Sequence, residues 1–212
     1  TLRSSGLAFS QPLTLAVSFL KRRFHMKKHK KIISPIALTM LLVGCVSTGG
    51  YKPSSENLPA LKVTLADPAW TGGTIPSGQQ CKMFGGNGAT PKLKIENIPA
   101  GTNAIIVEYN DLSFAPLSSG GGHGKIGFWI ENKTTVVLPS IPGETAKIDI
   151  DGAFIEARAL STGQYASPGY LPPCSGGRGH NYVADVKAVF KSTTNKEENR
   201  LLAQQRIKIG NY

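Results

Sequence analysis

The chain has 212 residues, enough for one medium-sized domain with additional segments at its ends. Its 24 glycines and 14 prolines favour short strands and turns over long helices. The formal charge of +11 is concentrated at the beginning, since residues 1–44 hold 8 of the 24 Lys and Arg residues and no acidic residue. The remainder carries 16 basic and 13 acidic residues, a balance of +3, too small and scattered for a surface that follows nucleic-acid phosphates. Nucleic-acid binding is therefore not expected.

Residues 26–44 have the order of a secretory signal peptide. A positively charged stretch starting at Met26 precedes an apolar stretch, residues 36–43, and the small Gly44. The apolar stretch is too short for a transmembrane helix, which needs about 20 apolar residues. The sequence Leu-Val-Gly-Cys ending at Cys45 resembles the lipobox of bacterial lipoproteins. That resemblance implies cleavage before Cys45 and a lipid anchor of acyl chains such as palmitate on its thiol and amine. An ordinary cleaved signal with a chance cysteine is the alternative.

The segments on either side of this signal are interpreted separately. Residues 1–25 are interpreted as upstream sequence from a start assigned too early, with a genuine N-terminal extension as the alternative. Residues 45–59 are polar and aperiodic and predict a flexible tether, which leaves 60–212 as the globular domain. Val46 is not the acidic residue that retains many Gram-negative lipoproteins in the inner membrane. In a Gram-negative organism this resemblance implies a lipid anchor in the outer membrane, with the domain facing the periplasm.

Seven short runs rich in β-branched and aromatic residues predict strands. They are 61–65, 93–96, 104–109, 126–131, 134–138, 146–150 and 182–191. Only residues 194–205 have a helical texture, with Glu197 and Glu198 near the start and Arg200 later. The pattern predicts a mainly β domain with few helices.

Cys81 and Cys174 remain once Cys45 is assigned to lipid. In an oxidising compartment an even pair favours a disulfide, which would close a loop of about 90 residues and stabilise the fold by a few kcal/mol. Free thiols or a metal site are the alternatives. Because only His123 and His180 follow Cys45, a cysteine-rich zinc cluster is not available, and we expect no metal and no cofactor.

Three separated segments carry a more specific signal. They are the glycine-rich 85–93 (GGNGATPKL) with 98–102 (IPAGT), the apolar run 105–109 leading to Asp111, and 169–182 (GYLPPCSGGRGHNY). Together they resemble the phosphatidylethanolamine-binding protein family, particularly its bacterial Raf-kinase-inhibitor-like branch, over about residues 60–191. The last segment is the most specific, because its Cys, His and Tyr keep the spacing of the family.

The resemblance implies a mainly β fold with a large central antiparallel sheet, a smaller sheet and few short helices. It also implies a small preformed pocket for phosphate-type anions, in which Asp111, His180 and Tyr182 match the residues of the family. The chemistry is consistent, since residues two apart on a strand share a face, and imidazole N–H and phenol O–H can both donate to one oxyanion. We therefore predict Asp111, His180 and Tyr182 as ligand-binding residues.

Several positions depart from the family pattern. Leu112 and Ser113 replace a Pro and a second Asp of the family loop, and Asn181 stands where Arg is common. Gly127 occupies the strand position at which relatives carry a further histidine. His123, four residues earlier, is expected to reach the pocket only from a mobile loop. These departures predict weaker anion binding or a different ligand.

The function expected from these observations is binding without catalysis. The chain would be a membrane-anchored periplasmic protein that holds a small anion or a phospholipid head group and modulates a partner protein. One alternative is an inhibitor of a protease or signalling protein, as some relatives are. Another is a hydrolase with His180 as general base, which is least favoured because the sequence has no Gly-x-Ser-x-Gly elbow.

Overall fold

The structure is a computed structural model that describes residues 50–212. The signal peptide, the lipobox cysteine Cys45 and the interpretation of residues 1–25 lie outside the described residues. The strands are β1 (Lys52–Pro53), β2 (Lys62–Leu65), β3 (Leu93–Glu96), β4 (Ala104–Asp111), β5 (Lys125–Trp129), β6 (Thr135–Leu138), β7 (Ala153–Ala157), β8 (Asn181–Phe190) and β9 (Arg200–Asn211). Short 3₁₀ helices span Lys82–Phe84, Ala115–Leu117, Gly163–Tyr165 and Lys196–Glu198. None of these helices, and no other helix in this part of the chain, is long and apolar enough to cross a bilayer.

Six strands form the large sheet in the order β1-β9-β8-β4-β5-β7. Neighbouring strands pair antiparallel except β1 and β9, which run parallel, so the sheet expected to be antiparallel is mixed at one edge. β4 reads AIIVEYND and all eight of its residues are buried. Its β-branched run suits this central position, because a strand covered on both faces is apolar almost throughout.

The small sheet contains β2, β3 and β6 in antiparallel pairs, with β3 in the middle. Leu93, Ile95 and Leu138 of this sheet belong to the main hydrophobic core. The large sheet contributes the side chains of one of its faces, among them Ile105, Val107, Tyr109, Ile126, Phe128, Ala184 and Val186. The two sheets therefore enclose one core between them. The predicted mainly β fold, with a large sheet, a smaller sheet and few short helices, is confirmed.

The predicted helix over residues 194–205 is wrong. The chain makes one 3₁₀ turn at Lys196–Glu198 and then continues as the long strand β9. Leu201 and Ala203 are fully buried whereas their neighbours are not, which is the period of a strand. β9 pairs with β8 along almost its whole length. Pairing with a neighbouring strand therefore outweighs the local helical preference of its Glu, Gln and Arg residues.

The predicted strand at 146–150 is also wrong. The strand of this region lies further on, at Ala153–Ala157, where β7 pairs with β5 at the edge of the large sheet. Ile148 and Ile150 are apolar because they pack against the main core from an irregular segment. Burial explains their hydrophobicity without strand pairing.

The folded domain begins earlier than the sequence predicts. Tyr51 is buried, and Lys52–Pro53 pair with the first residues of β9. The segment 45–59, expected to be a flexible tether, therefore overlaps the ordered domain from Tyr51 onward. The sequence does not predict this early start, because the segment is polar and a two-residue strand leaves almost no periodic signal.

Candidate ligand-binding site

A pocket of about 510 Å³ lies at one end of the large sheet, where β4 ends and β8 begins. Asp111, the last residue of β4, is the direct cross-strand partner of Tyr182, the second residue of β8. His180 immediately precedes β8, and all three residues line the pocket. Loops beyond the strand ends supply the remaining walls. The fold therefore brings together the three residues singled out in the sequence; their role in binding stays a prediction.

Asp111 and His180 form the polar centre of the pocket. Oδ2 of Asp111 lies 2.6 Å from Nδ1 of His180, and the other carboxylate oxygen accepts the backbone N–H of Ser113 at 2.9 Å. The side chain of Asp111 is 4% exposed and that of His180 is 22% exposed. Because a carboxylate only accepts, the proton of this bond resides on Nδ1, which leaves Nε2 of the imidazole for another partner. The carboxylate thereby fixes the orientation and the tautomer of His180.

The backbone of His180 is held as firmly as its side chain. Its N–H donates to the carbonyl oxygen of Tyr212 at 2.8 Å, and the N–H of Tyr212 donates back at 3.1 Å. The hydroxyl of Ser175, which also lines the pocket, donates to the same carbonyl of Tyr212 at 2.6 Å. His180 and Tyr212 are therefore paired through their backbones like residues of neighbouring strands, and this pairing holds the imidazole in place.

Tyr182 forms part of the pocket wall beside His180. Its ring is buried, and its phenol oxygen accepts the backbone N–H of Cys174 at 3.2 Å. Burial raises the pKa of Tyr182 to about 12, and the charge of Asp111 acts in the same direction. The phenol is therefore neutral near pH 7 and retains an O–H that can donate to an acceptor.

His123 is also a wall of the pocket, and the loop that carries it is fixed. The expectation of a mobile loop is wrong, because the side-chain oxygen of Asn110 accepts the N–H groups of Gly121 and Gly122 at 2.9 and 3.0 Å. A side chain at Gly122 would lie 2.3 Å from the backbone of Leu117, so only glycine permits this close approach. The N–H of His123 itself donates to β4, at 2.9 Å.

The imidazole of His123 differs electrostatically from that of His180. Its Nδ1 lies 2.8 Å from the carbonyl oxygen of Leu171, which can only accept, so Nδ1 carries the proton. Burial lowers the pKa of His123, although the Leu171 carbonyl opposes this shift. The ring also meets that of Tyr182 edge-on, with the centroids 5.3 Å apart. His123 is therefore a neutral group whose Nε2 is a hydrogen-bond acceptor.

Gly127 has no part in the pocket. It lies in β5 opposite Ile106 and Phe154, and a Cβ at this position would come within 2.1 Å of the Phe154 ring. Ile126 and Phe128 on either side face the main core, so Gly127 faces the opposite side of the sheet. The histidine available to the pocket from this part of the chain is His123.

The predicted disulfide between Cys81 and Cys174 is confirmed. Cys81 is fully buried, and Cys174 lines the pocket. Because the N–H of Cys174 binds the phenol of Tyr182, the disulfide attaches this wall to the segment that contains Cys81. Across the part of the chain that is described, no group of three or more His, Cys, Asp and Glu side chains could hold a metal ion.

The mouth of the pocket combines a cation with apolar groups. Arg178 is exposed and supplies a guanidinium to the lining. Phe114 is 47% exposed and Leu160 is 58% exposed, and both also line the pocket. The arrangement can therefore accept a molecule that has an anionic end inside and an apolar part at the mouth.

Two solved structures similar to this chain are of phosphatidylethanolamine-binding proteins. The homolog CT736 from Chlamydia trachomatis D/UW-3/CX is 20% identical, with a TM-score of 0.46 over 72% of this chain and 97% of that one. E. coli YbcL, a member of the mammalian phosphatidylethanolamine-binding protein family, is 20% identical, with a TM-score of 0.45 over 71% of this chain and 98% of that one. No protein-family model and no curated protein matches the chain.

Proposed function

We propose that the chain is a non-enzymatic binding protein of the phosphatidylethanolamine-binding type, attached to a membrane through lipidated Cys45 and exposed to the periplasm. Its ligand is a small organic anion with a phosphate-type group, of the kind found in phospholipid head groups. The observation that carries the proposal is the convergence of Asp111, His180 and Tyr182 on one pocket of about 510 Å³.

The pocket has the donors that an anion needs. Nε2 of His180 donates when the ring is protonated, and the ring then carries a positive charge next to the ligand. The guanidinium of Arg178 supplies a permanent charge and further N–H donors at the mouth, while the phenol of Tyr182 borders the site and interacts with Asp111. The negative charge of Asp111 is already engaged by His180 and Ser113, so it is compensated before a ligand arrives.

The apolar mouth favours an organic anion over inorganic phosphate. Phe114 and Leu160 are exposed large apolar side chains that line the entrance. A substituent that covers them removes apolar surface from water, which stabilises the complex by about 25 cal/mol per Å². An ester of phosphate is therefore expected to bind more tightly than phosphate itself.

Isothermal titration calorimetry of the purified protein with phosphate and with phosphoethanolamine tests the proposal. Both are expected to bind, and His180→Ala is expected to weaken binding roughly tenfold to a hundredfold, because one charge-assisted hydrogen bond contributes about 1.5–3 kcal/mol. Lys133→Ala is the matched control, since it removes an exposed positive charge outside the pocket. Binding that is the same with and without the imidazole would reject the site.

The exposed apolar mouth also favours a second candidate function, the inhibition of a protease or signalling protein. A partner could insert a carboxylate- or phosphate-bearing side chain beside His180 and cover Phe114 and Leu160. Cross-linking in the native compartment tests this, with a Phe114→Ser/His180→Ala variant beside the unmodified protein. A partner recovered equally with both proteins would contradict recognition through the pocket.

A further inference from the structure

The chain enters the domain at the end of the large sheet opposite the pocket. Pro53 pairs with Leu201 near the start of β9, and Leu201 lies beside Val189 near the end of β8. The pocket residue Tyr182 belongs to the start of β8. Because β1 runs parallel to β9, Tyr51 lies on the side of Lys52 that is further from the pocket.

The separation between these two ends exceeds the reach of the tether. Tyr182 and Val189 are seven positions apart on β8, which is about 24 Å of strand. The mouth residues Phe114, Leu160 and Arg178 lie in loops at the same end of the sheet as Tyr182. Six residue steps separate Cys45 from Tyr51, which is about 20 Å at full extension.

Tyr51 is fixed to the domain, so the tether could become longer only if the contacts of Tyr51 were broken. Its ring is buried, and its phenol donates to Oε1 of Glu156 at 2.9 Å. The ammonium of Lys191 lies 2.9 Å from the other oxygen of Glu156 and 5.9 Å from the centre of the Tyr51 ring. Two residues after Lys52, the N–H of Ser54 donates to Leu201 at 2.9 Å. The domain is therefore anchored from Tyr51 onward, and six residue steps are the longest connection to Cys45.

We propose that the pocket takes its ligand from the aqueous phase and not from the bilayer that holds its own anchor. This inference rests on the proposed function, and specifically on lipidation of Cys45. For the mouth to reach the bilayer that holds the anchor, the pocket end of the domain would have to face the membrane surface. Tyr51, at the other end of the sheet, would then lie more than about 24 Å above that surface. A tether of about 20 Å does not permit that orientation. With the entry end toward the membrane, the mouth faces the solvent.

Exposed aromatic side chains at the entry end are compatible with this orientation, although the mouth also exposes Phe114, so the orientation rests on the length of the tether. Trp129 pairs with Ala104, whose other cross-strand partner is Val189, and Phe190 follows Val189. Trp129 and Phe190 are both exposed. Aromatic side chains are favoured at the level of lipid head groups, so this end is suited to rest on the membrane surface.

The ligand class follows from the orientation. A phosphate-type group is available both as a water-soluble monoester and as a head group within a bilayer, and the pocket recognises the chemistry they share. Only the soluble form reaches the mouth when the anchor is intact. The expected ligand is therefore a soluble phosphomonoester-type anion, such as free phosphoethanolamine.

The test uses the lipoprotein reconstituted in phosphatidylcholine vesicles with and without phosphatidylethanolamine. Calorimetric titration with free phosphoethanolamine is expected to give the same Kd in both kinds of vesicle. A variant with about 15 Gly and Ser residues inserted after Val46 should bind phosphatidylethanolamine in its own bilayer, which would weaken the apparent affinity for the free ligand roughly fivefold or more. If phosphatidylethanolamine in the vesicle weakened the binding of free phosphoethanolamine to the protein with its native tether, the inference would be overturned. It would also be overturned if phosphatidylethanolamine had no such effect on the variant with the lengthened tether.

A second measurement reports the orientation independently of binding. The fluorescence of Trp129 is obtained as the difference in emission between the unmodified protein and Trp129→Phe. Lipids with a quencher on the head group are expected to quench this fluorescence. Absence of that quenching would contradict the placement of the entry end on the membrane. If free phosphoethanolamine binds neither protein, the proposed function fails, whereas the quenching still shows which end of the domain faces the bilayer.

Discussion

The carboxylate of Asp111 and the imidazole of His180 lie 2.6 Å apart across the end of the large sheet, although 69 positions separate them in the chain. The carboxylate is nearly fully buried, and it also accepts the N–H of Ser113 and interacts with the phenol of Tyr182. A buried carboxylate without its cationic or N–H partners is costly. The bond therefore stabilises the fold as well as orienting the ligand-facing nitrogen.

Removing the imidazole alone is expected to cost stability that a second substitution restores. His180→Ala should lower the free energy of unfolding by about 1–3 kcal/mol, because it leaves the Asp111 carboxylate short of a partner. In Asp111→Asn/His180→Ala the neutral amide leaves no buried charge without a partner. This double variant should therefore regain part of the free energy of unfolding that His180→Ala loses. Urea unfolding at neutral pH measures both variants and Asp111→Asn alone. Losses that simply add would show that the two residues are not coupled.

The sequence located the centre of the pocket because its residues are set by local geometry. His180 and Tyr182 are two apart at the start of β8, and Asp111 lies two positions after an apolar run and ends the central strand β4. Alternation and strand ends are local properties that a sequence displays. The fold class could be predicted for the same reason, since most strand runs were visible as β-branched segments.

The remainder depended on contacts between distant residues. His123 lies in a run of glycines that suggests mobility, but the loop is fixed by its N–H groups, which donate to the side chain of Asn110 and to the backbone of β4. β9 has helical composition and becomes a strand because β8 offers it a partner. The early start of the domain depends on a clamp between Tyr51 and Glu156, 105 positions apart. None of these contacts leaves a periodic signal in the chain.

The buried neutral state of His123 predicts a loss of stability in mild acid. Because burial lowers its pKa, the unfolded chain takes up a proton at about pH 6.5 that the folded protein does not. Stability should therefore decrease as the pH falls below about 6.5, with a slope from this group of at most about 1.4 kcal/mol per pH unit. Gln at position 123 keeps a donor for the Leu171 carbonyl and has no such proton.

Urea unfolding of the protein and of His123→Gln between about pH 7 and pH 5 isolates this contribution. Groups common to both proteins cancel in the difference, so the unmodified protein should lose more stability on acidification than the variant. Parallel curves for the two proteins would indicate that His123 is not held neutral by burial.

The Cys81–Cys174 disulfide is expected to support both the fold and the pocket. Reduction, or Cys81→Ser/Cys174→Ser, should lower the free energy of unfolding by about 2–4 kcal/mol, because the closed loop is long. Binding of phosphoethanolamine should weaken as well, since Cys174 holds the phenol of Tyr182 through its N–H. Chemical unfolding and calorimetry with and without reductant measure the two effects, and the double variant controls for the reductant itself. An unchanged unfolding midpoint would refute the structural role.

The exposed ring of Phe114 predicts a preference for anions that carry an apolar substituent. Phe114→Ser should weaken the binding of phenyl phosphate roughly fivefold, equivalent to about 1 kcal/mol of lost apolar contact, and leave the binding of inorganic phosphate unchanged. Val137→Ser is the matched control, because Val137 is an exposed apolar residue of the small sheet that does not line the pocket. Calorimetry with the two ligands separates the contributions of the mouth and the polar centre. If Phe114→Ser weakened both ligands equally, the ring would shape the pocket as a whole, and the selectivity for organic anions would have to reside elsewhere.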